Sequence, residues 1–566
     1  MAETPETQFY RYATAALFAL ALWLVFATFP DYGITWDEHY HEAYGRYVLA
    51  YYSSGFRDHE ALTYHNLWLY GGAFDGIVAL VKTVSPFGNY ETAHLMNALV
   101  GLLGIAAVWR IGCFFDGPRG GFWAAVLLLA MPSWYGHMFN NPKDIPFAVG
   151  IAWSLYYMIW AAPHFPRVPT AISLKLGLAV GLTLGIRIAG VFALIYLAAA
   201  LTLWALLRWR ESGFAAAWRD SWRAILGFLA PSMAVAWVVM LAAWPWAQQD
   251  PLRHPWQALT TFSNNPWNLD TLFEGRLVNS LHLPPDYLPV YFAVRMPELD
   301  LLLLAIAALL TAAALWRQRG LASWTTFSPY FVLGFSAVFP FVFFVAFRPV
   351  TYDGIRHFLF VLPPLAAISA VTLTRLLSAL ASRPPWARGA FAAVVLTYLG
   401  WHAGFMRELH PNQYVYYNQL VGGVDGAEDR YELDFWGNSY HEAVDRLAAY
   451  IKDEEERTEI SRVYRVMVCS SGTSAAYFFP KNFVLSGDEK SADFYISNTR
   501  LGCDKVFDGD TIITVERDDA ILSLVKDRRR LRAMAPERLE ARLVNRQPLS
   551  RQHPGVPLDI LDVMDY

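Results

Sequence analysis

Long apolar segments separated by short polar ones recur along most of the chain. A helix that spans a bilayer needs roughly 20 predominantly apolar residues, and about eleven segments approach that length. They lie near residues 13–29, 92–109, 121–136, 145–161, 171–186, 189–207, 224–244, 299–316, 327–347, 356–380 and 387–404. The pattern predicts a mainly α-helical, polytopic membrane protein of about eleven transmembrane helices.

The distribution of Lys and Arg predicts which ends of these helices face the cytoplasm. The short connections on one side carry only Lys143, Arg187, Arg348 and Arg356. The alternate connections are much richer in basic residues: Arg110, Arg119, Arg167, Lys175, Arg208, Arg210, Arg219, Arg223, Arg317, Arg319, Arg375, Arg383 and Arg388. This bias predicts a cytoplasmic N-terminus and places the long loops 30–90 and 245–297 outside, together with the chain beyond about residue 407.

Residues 407–566 have a different pattern, which predicts a small outer α/β domain after a transmembrane domain of residues 1–406. Apolar spacing predicts helices at 440–457 and 520–530 and strands at 463–468, 492–496 and 511–515. The tail 531–566 is mostly polar with several prolines, which predicts an extended or loosely attached segment. Cys469 and Cys503 both lie in this part, where either a disulfide or two separate buried thiols is compatible with the sequence.

Composition agrees with a membrane protein: 55% of the 566 residues are hydrophobic and 17% are charged. Soluble domains carry about 25% charged residues. The polar stretch 1–8 and the absence of a small-residue cleavage site predict that the first helix is retained. The net charge of −4 indicates no particular partner, and no pattern points to nucleic acid.

A first candidate for chemistry follows the first apolar segment, where Asp37, Glu38 and His41 lie together. A carboxylate at a membrane edge is costly unless something compensates it, and its pKa can be raised towards that of a general base. Successive helical residues point about 100° apart, so only one of the two acids is expected to do chemistry, and Asp37 shares a helix face with His41. The alternatives are a solvated helix start, or a metal site that includes His39 but lacks a recognised ligand spacing.

Three further outer turns carry charges. Lys143 and Asp144 occupy a short turn, where Asp144 is either functional or a helix cap. Arg187 lies alone between two apolar segments, and it either snorkels to lipid headgroups or holds a phosphate. Arg356 and His357 precede the tenth apolar segment. Such a cationic group beside carboxylates suits transfer from a phosphate-activated lipid, because the departing phosphate needs charge stabilisation.

This arrangement resembles the integral-membrane glycosyltransferases of the C superfold, in the branch of the protein O-mannosyltransferases and the lipid A aminoarabinose transferase. The resemblance rests on the order and sidedness of Asp37-Glu38, Asp144 and Arg187, together with the segment 355–364. It covers roughly residues 13–404. An outer α/β domain instead of an inserted β-trefoil departs from the eukaryotic protein mannosyltransferases and puts protein O-mannosylation in doubt.

The resemblance implies an inverting transfer from a polyprenyl-phosphate-linked sugar. Many members of this branch need no metal, so a divalent metal is not favoured and no other cofactor is expected. We expect the protein to lie in the bacterial inner membrane. From the residues themselves we expect Asp37 to be the base, because it can pair with His41, and we expect Glu38 and Asp144 to assist it. The expected substrate-binding residues are His41, Lys143, Arg187, Arg356 and His357. The acceptor stays open among a glycan, a lipid and a protein. The competing interpretations are a transporter or flippase of a lipid-linked substrate and a non-catalytic assembly protein.

The stretch 410–420 and the following residues 431–440 combine aromatic side chains with amides. Such residues bind sugars, or they pack an outer domain against the membrane helices. We favour packing.

Overall fold

The computed structural model describes residues 4–263, 267–317 and 323–532. Its helices are α1 Pro5–Thr28, α2 Glu38–Ser53, α3 Ala73–Lys82, α4 Asn89–Leu129, α5 Pro132–Asn140, α6 Asp144–Ala161, α7 Thr170–Leu184, α8 Val191–Ser212, α9 Phe214–Ala224, α10 Ala230–Ala243, α11 Pro245–Gln249, α12 Arg253–Ser263, α13 Tyr287–Arg295, α14 Glu298–Arg317, α15 Trp324–Phe347, α16 Leu362–Ala379, α17 Pro385–Glu408, α18 Tyr440–Thr458, α19 Gly472–Ala476 and α20 Arg529–Arg532. Its strands are β1 Asp270–Phe273, β2 Arg276–Asn279, β3 Tyr464–Val468, β4 Phe483–Leu485, β5 Phe494–Asn498, β6 Asp510–Arg517 and β7 Ala520–Asp527.

Within the described residues, nine helical stretches are long and apolar enough to cross a membrane. They are Pro5–Asp31, Asn89–Leu129, Asp144–His164, Ile188–Ser212, Phe214–Ala243, Glu298–Arg317, Trp324–Phe347, Arg356–Ser382 and Pro385–Glu408. A shorter apolar helix covers Thr170–Leu184. The prediction of a mainly α-helical polytopic membrane protein is confirmed, whereas the number of eleven spans stays a prediction.

The difference in number arises partly at α4, which reverses direction. The backbone leaves the helical region at Asp116 and Gly117, where Gly117 has a φ of 60°. Gly112 and Gly120 then lie in direct contact, so a Cβ atom on Gly112 would meet the Gly120 carbonyl. Eight residues of straight helix would separate these positions by about 12 Å. The element is therefore two antiparallel helices, as the separate apolar segments 92–109 and 121–136 predict.

The C-terminal part contains a five-stranded sheet in the order β4-β3-β5-β7-β6. Strand β3 is parallel to β4 and β5, while β7 is antiparallel to both β5 and β6. Helix α18 packs on the sheet around Val444, Leu447 and Ile451 in a separate hydrophobic core. Cys469 and Cys503 form a disulfide. The predicted small α/β region is confirmed, and the structure decides between the two interpretations of the cysteines.

The predicted helix at 520–530 is wrong, because residues 520–527 form strand β7. Asp518 and Asp519 both adopt positive φ, 52° and 63°, which suits the tight turn of a β-hairpin. The strand that follows is hydrogen-bonded to neighbours on both sides and is buried over most of its length. A central strand covered on both faces is apolar throughout, so its pattern does not differ from that of a short helix. The predicted loosely attached tail lies, from residue 533 onward, outside the described residues.

The segment between α17 and α18 packs against the membrane helices. Tyr414, Tyr417 and Trp436 are buried in the large helical core, as the packing interpretation expects. Arg295 of α13 holds the segment by donating hydrogen bonds to the Tyr417 hydroxyl and the Glu432 carbonyl, each at 3.0 Å. A division into domains at residue 406 stays an interpretation of composition.

The first long loop is ordered and is tied to the ends of neighbouring helices. It contains α2 and α3, neither of which is long enough to span a bilayer. The Gly72 amide donates to the Ala243 carbonyl at 2.9 Å, and the Ala73 amide donates to the Gly185 carbonyl at 3.1 Å. The loop therefore closes over the ends of α7 and α10, where the charged turns also lie.

Candidate functional site

Four turns meet at one end of the helical bundle and bring the predicted charges together. They precede α2, α6, α8 and α16, and they contribute Asp37, Asp144, Arg187 and Arg356. Helix α6 begins at Asp144, whose amide donates a hydrogen bond to the Asn141 side chain at 2.9 Å. The acid thus lies in the first turn, where the helix dipole favours negative charge.

Asp144 is a buried carboxylate held between two arginines, with 2% of its side chain exposed. The Arg187 guanidinium contacts one carboxylate oxygen directly, and Arg356 Nε lies 3.8 Å from the other. The Asn141 amide donates a third contact at 3.1 Å. A carboxylate so enclosed orients both cations, and it is not accessible to a substrate.

Arg356 occupies the centre of the charge cluster and is 2% exposed. Its Nη1 donates to Asp37 Oδ2 at 3.0 Å and lies 3.7 Å from Asp353 Oδ2. Its guanidinium carbon lies 5.0 Å from the ring centre of Tyr352 and 4.7 Å from that of Trp436. The arginine is therefore fixed by aromatic faces and shared among three carboxylates.

Asp37 is the accessible acid of the cluster, because 27% of its side chain is exposed. Lys143 Nζ lies 4.0 Å from the same oxygen that accepts the Arg356 hydrogen bond. Burial alone would raise the pKa of Asp37, but Lys143 and Arg356 outweigh it and hold that pKa below its usual range. Asp37 is consequently an anion at neutral pH, next to two cations. This direction is opposite to the raised pKa that its place at the membrane edge led us to expect.

The remaining predicted cations border the same group. Lys143 Nζ lies 4.8 Å from the ring centre of Tyr70, and the Arg187 guanidinium lies 6.0 Å from it. Burial, opposed by Arg187, raises the pKa of Tyr70 to about 12, so this residue stays a neutral hydroxyl. His357 Nε2 lies 3.2 Å from Arg356 Nη2.

Glu38 and His41 point elsewhere. Glu38 accepts hydrogen bonds from the Thr35 amide at 2.7 Å and the Thr35 hydroxyl at 3.0 Å, and its other oxygen lies 2.8 Å from His94 Nε2. His41 Nδ1 lies 3.1 Å from both carboxylate oxygens of Asp75. The expected side-chain partnership of Asp37 with His41 is therefore replaced by its ion pair with Arg356.

Several residues at the site escape sequence reasoning. Asp353 lies within the same turn as Arg356, and its position three residues earlier was an available signal. Trp436 and Arg500 come from distant parts of the chain and contact Arg356 and Asp353, respectively. Aromatic and basic residues are common in both regions, so no local pattern distinguishes these two.

Within the described ranges, no group of three or more His, Cys, Asp or Glu side chains is placed to hold a metal ion. The cations at the site are instead the side chains of Lys143, Arg187 and Arg356. The expectation that the protein needs no metal stays a prediction.

Comparison with known proteins gives matches among solved structures alone, since no family model and no curated protein matches the chain. ArnT from Cupriavidus metallidurans bound to undecaprenyl phosphate shares 16% identity at a TM-score of 0.49, covering 90% of this chain and 97% of that one. The Archaeoglobus fulgidus oligosaccharyltransferase shares 12% identity at a TM-score of 0.43, covering 79% of this chain and 60% of that one. The arabinosyltransferase EmbB from Mycobacterium smegmatis shares 16% identity at a TM-score of 0.38, covering 63% of this chain and 30% of that one.

These proteins are membrane glycosyltransferases of the C superfold, the group that the sequence resemblance names. With TM-scores below 0.5 and identities of 16% or less, they assign neither a substrate nor a reaction to this chain.

Proposed function

We propose that this multi-pass membrane protein is an inverting glycosyltransferase. It moves a sugar from a polyprenyl-phosphate-linked donor to an acceptor hydroxyl at the outer face of a bacterial inner membrane. The observation that carries the proposal is the pairing of the partly exposed Asp37 carboxylate with Arg356 and Lys143, at 3.0 and 4.0 Å, at one end of the bundle.

The reaction is a single displacement at the anomeric carbon of the sugar. The acceptor oxygen forms a bond to this carbon, while the bond from the carbon to the donor phosphate oxygen breaks. Asp37 takes the proton of the acceptor hydroxyl, and the polyprenyl phosphate leaves with the bonding electrons. Attack on the face opposite the phosphate inverts the configuration of the sugar.

The cations stabilise the transition state more than the bound donor. A sugar linked through a phosphodiester carries one negative charge, and the departing phosphate monoester gains a second as the bond breaks. Lys143, Arg187 and Arg356 are already held in place by carboxylates and aromatic rings, so they need little rearrangement to meet this charge. The proposal therefore assigns no metal.

The other two acids act through their neighbours. Asp144 is buried and orients Arg187 and Arg356 from behind. Glu38 fixes the start of α2, and hence Asp37, through its bonds to Thr35. Neither carboxylate is placed to touch a substrate, so both are positioning residues in this proposal.

The test is sugar transfer by the purified protein in lipid nanodiscs. Radiolabelled polyprenyl-phosphate sugars of several kinds are offered with a cell-envelope extract as acceptor. Asp37→Asn is expected to lower transfer by about 100-fold or more, the range for loss of a general base, while the donor still binds. Glu38→Gln is expected to lower transfer less, because the side-chain oxygen of the new glutamine can still accept hydrogen bonds from Thr35.

The matched control is Asp220→Asn. Asp220 is also a buried acid held by two arginines, Arg208 and Arg223, but it lies between α8 and α10, away from the charge cluster. Unchanged transfer is expected for this variant. Equal transfer by wild type and Asp37→Asn would remove Asp37 from the reaction. Folded wild type that neither binds nor consumes any donor would favour the transporter and assembly interpretations.

A further inference from the structure

The proposed reaction does not use Asp353, a carboxylate enclosed beside the site. Its side chain is fully buried between two arginines. One oxygen lies 3.7 Å from Arg356 Nη1, and the other lies 2.7 Å from Arg500 Nη2. A buried carboxylate is strongly destabilising without a partner of opposite charge. One arginine of the donor site is thus linked through Asp353 to an arginine of the C-terminal part.

Arg500 belongs to the short 3-10 segment Arg500–Lys505, which follows strand β5 of the C-terminal sheet. Its side chain is 3% exposed, and its Nη1 donates to the Phe435 carbonyl at 2.8 Å. Its guanidinium carbon lies 4.4 Å from the ring centre of Trp36, the residue before Asp37. Arg500 therefore contacts Trp36, which precedes the proposed base Asp37. It also contacts Asp353, which lies beside Arg356.

The segment that carries Arg500 is covalently anchored. Cys503 lies within it and forms the disulfide with Cys469, which directly follows strand β3. The Cys503 carbonyl also accepts a hydrogen bond from the Tyr495 hydroxyl at 2.9 Å. These bonds fix the backbone from which the Arg500 side chain reaches Asp353 and Trp36.

The geometry at Arg356 gives Arg500 a specific task. The same nitrogen, Nη1 of Arg356, lies 3.0 Å from Asp37 and 3.7 Å from Asp353, so the two carboxylates compete for it. The closer contact of Asp353 is to Arg500, which satisfies the Asp353 charge and leaves Arg356 turned towards Asp37. If Arg500 lost its charge, Asp353 would have Arg356 as its remaining close cation.

We propose that Arg500 of the C-terminal domain is a positioning residue for the transfer site, which neutralises Asp353 so that Arg356 stays available to the donor phosphate. The outer domain is then a working part of the site. This role rests on the proposed function, since Arg356 matters here as a ligand of the phosphate.

The experiment measures binding of undecaprenyl phosphate and sugar transfer for Arg500→Gln, Asp353→Asn and the double variant. Arg500→Gln is expected to weaken binding by about 10- to 100-fold, the range for loss of a hydrogen bond to a charged group. The double variant is expected to recover most of this loss, because the carboxylate that draws Arg356 away is also gone. Arg500→Lys keeps the charge and is expected to bind better than Arg500→Gln.

The outcomes separate this role from simple docking. If Arg500 merely held the domain in place, the double variant would be at least as impaired as Arg500→Gln, and that result would overturn the proposal, as would unchanged binding in Arg500→Gln. Arg528→Gln is the control, because Arg528 is buried to a similar degree, with 4% of its side chain exposed, and pairs with Glu489 within the C-terminal domain at 3.0 Å. Absence of transfer by wild type would instead count against the proposed function. Thermal unfolding of each variant checks that it is folded.

Discussion

At the scale of single residues, two adjacent acids acquire different roles from their surroundings. Asp37 keeps 27% of its side chain exposed and pairs with Arg356, whereas Glu38 is 4% exposed and accepts hydrogen bonds from Thr35. Neighbouring helical side chains diverge by about 100°, so they could not face the same ligand. Identity and position along the chain are nearly the same for both acids, and the tertiary neighbours decide which one is accessible.

The effect of Lys143 on Asp37 leads to a pH prediction. Lys143 lowers the pKa of Asp37, so removing the lysine charge raises that pKa. Because the proposed base would work as an anion, the acidic limb of the kcat/KM profile is expected to move to higher pH in Lys143→Met. The measurement is the rate of sugar transfer across an acidic pH series.

Lys143→Arg is the matched control, since it retains the positive charge, and its acidic limb is expected to stay near that of wild type. A limb that shifts equally in both variants would show that the charge of Lys143 does not set the titration of Asp37.

At the scale of secondary-structure elements, tight turns in the backbone determine where one helix or strand ends and the next begins. α4 turns back at Gly117, and Gly112 and Gly120 pack in direct contact beside the turn. The hairpin between β6 and β7 turns at Asp518 and Asp519. In both places charged residues interrupt the apolar pattern at the reversal: Asp116 and Arg119 in α4, and Glu516 to Asp519 between β6 and β7.

The contact of Gly112 with Gly120 leads to a stability prediction. Gly112→Ala places a methyl group against the Gly120 carbonyl, a backbone atom that cannot move aside cheaply. We expect a loss of about 1–3 kcal/mol, the usual cost of overpacking. The midpoint of thermal unfolding in detergent is the measurement.

Gly334→Ala in α15 is the comparison, because nothing lies within 4 Å of the Cβ position there. Alanine favours helix by about 1 kcal/mol over glycine, so the midpoint is expected to stay or rise. A similar fall in both variants would attribute the effect to glycine in a helix in general rather than to the close approach.

At the scale of the whole molecule, the charge cluster is enclosed by parts that are far apart in sequence. The first long loop is tied to α7 and α10, and the segment before α18 brings Trp436 against Arg356. The C-terminal sheet region adds Arg500. All of these lie at the end that the positive-inside rule predicts to be outside.

That sidedness can be measured with single cysteines in a Cys113→Ser background, in which Cys469 and Cys503 remain paired. Lys481→Cys in the C-terminal part is expected to react with a membrane-impermeant maleimide on intact spheroplasts. Glu211→Cys at the end of α8 is the control and is expected to react only after the membrane is opened. The reverse result would invert the predicted orientation.

The sequence alone determined the membrane character, the approximate places of the helices and most of the charged residues that meet at the site. A long apolar segment indicates a helix buried in lipid. A charge is costly inside the bilayer, so an isolated charged residue between two such segments is easily recognised as a functional candidate. The sequence also indicated helix α18 and strands β3, β5 and β6.

Only the tertiary structure decided which charges act together. It paired Asp37 with Arg356 rather than His41, turned 520–527 into a strand, and brought Asp353 and Arg500 into contact across 147 positions of sequence. The hydrophobic pattern of a sequence predicts whether a residue is buried, but it does not predict which residue a buried charge contacts. The partner of a buried charge depends on distances between elements, and folding sets those distances through packing of the whole chain.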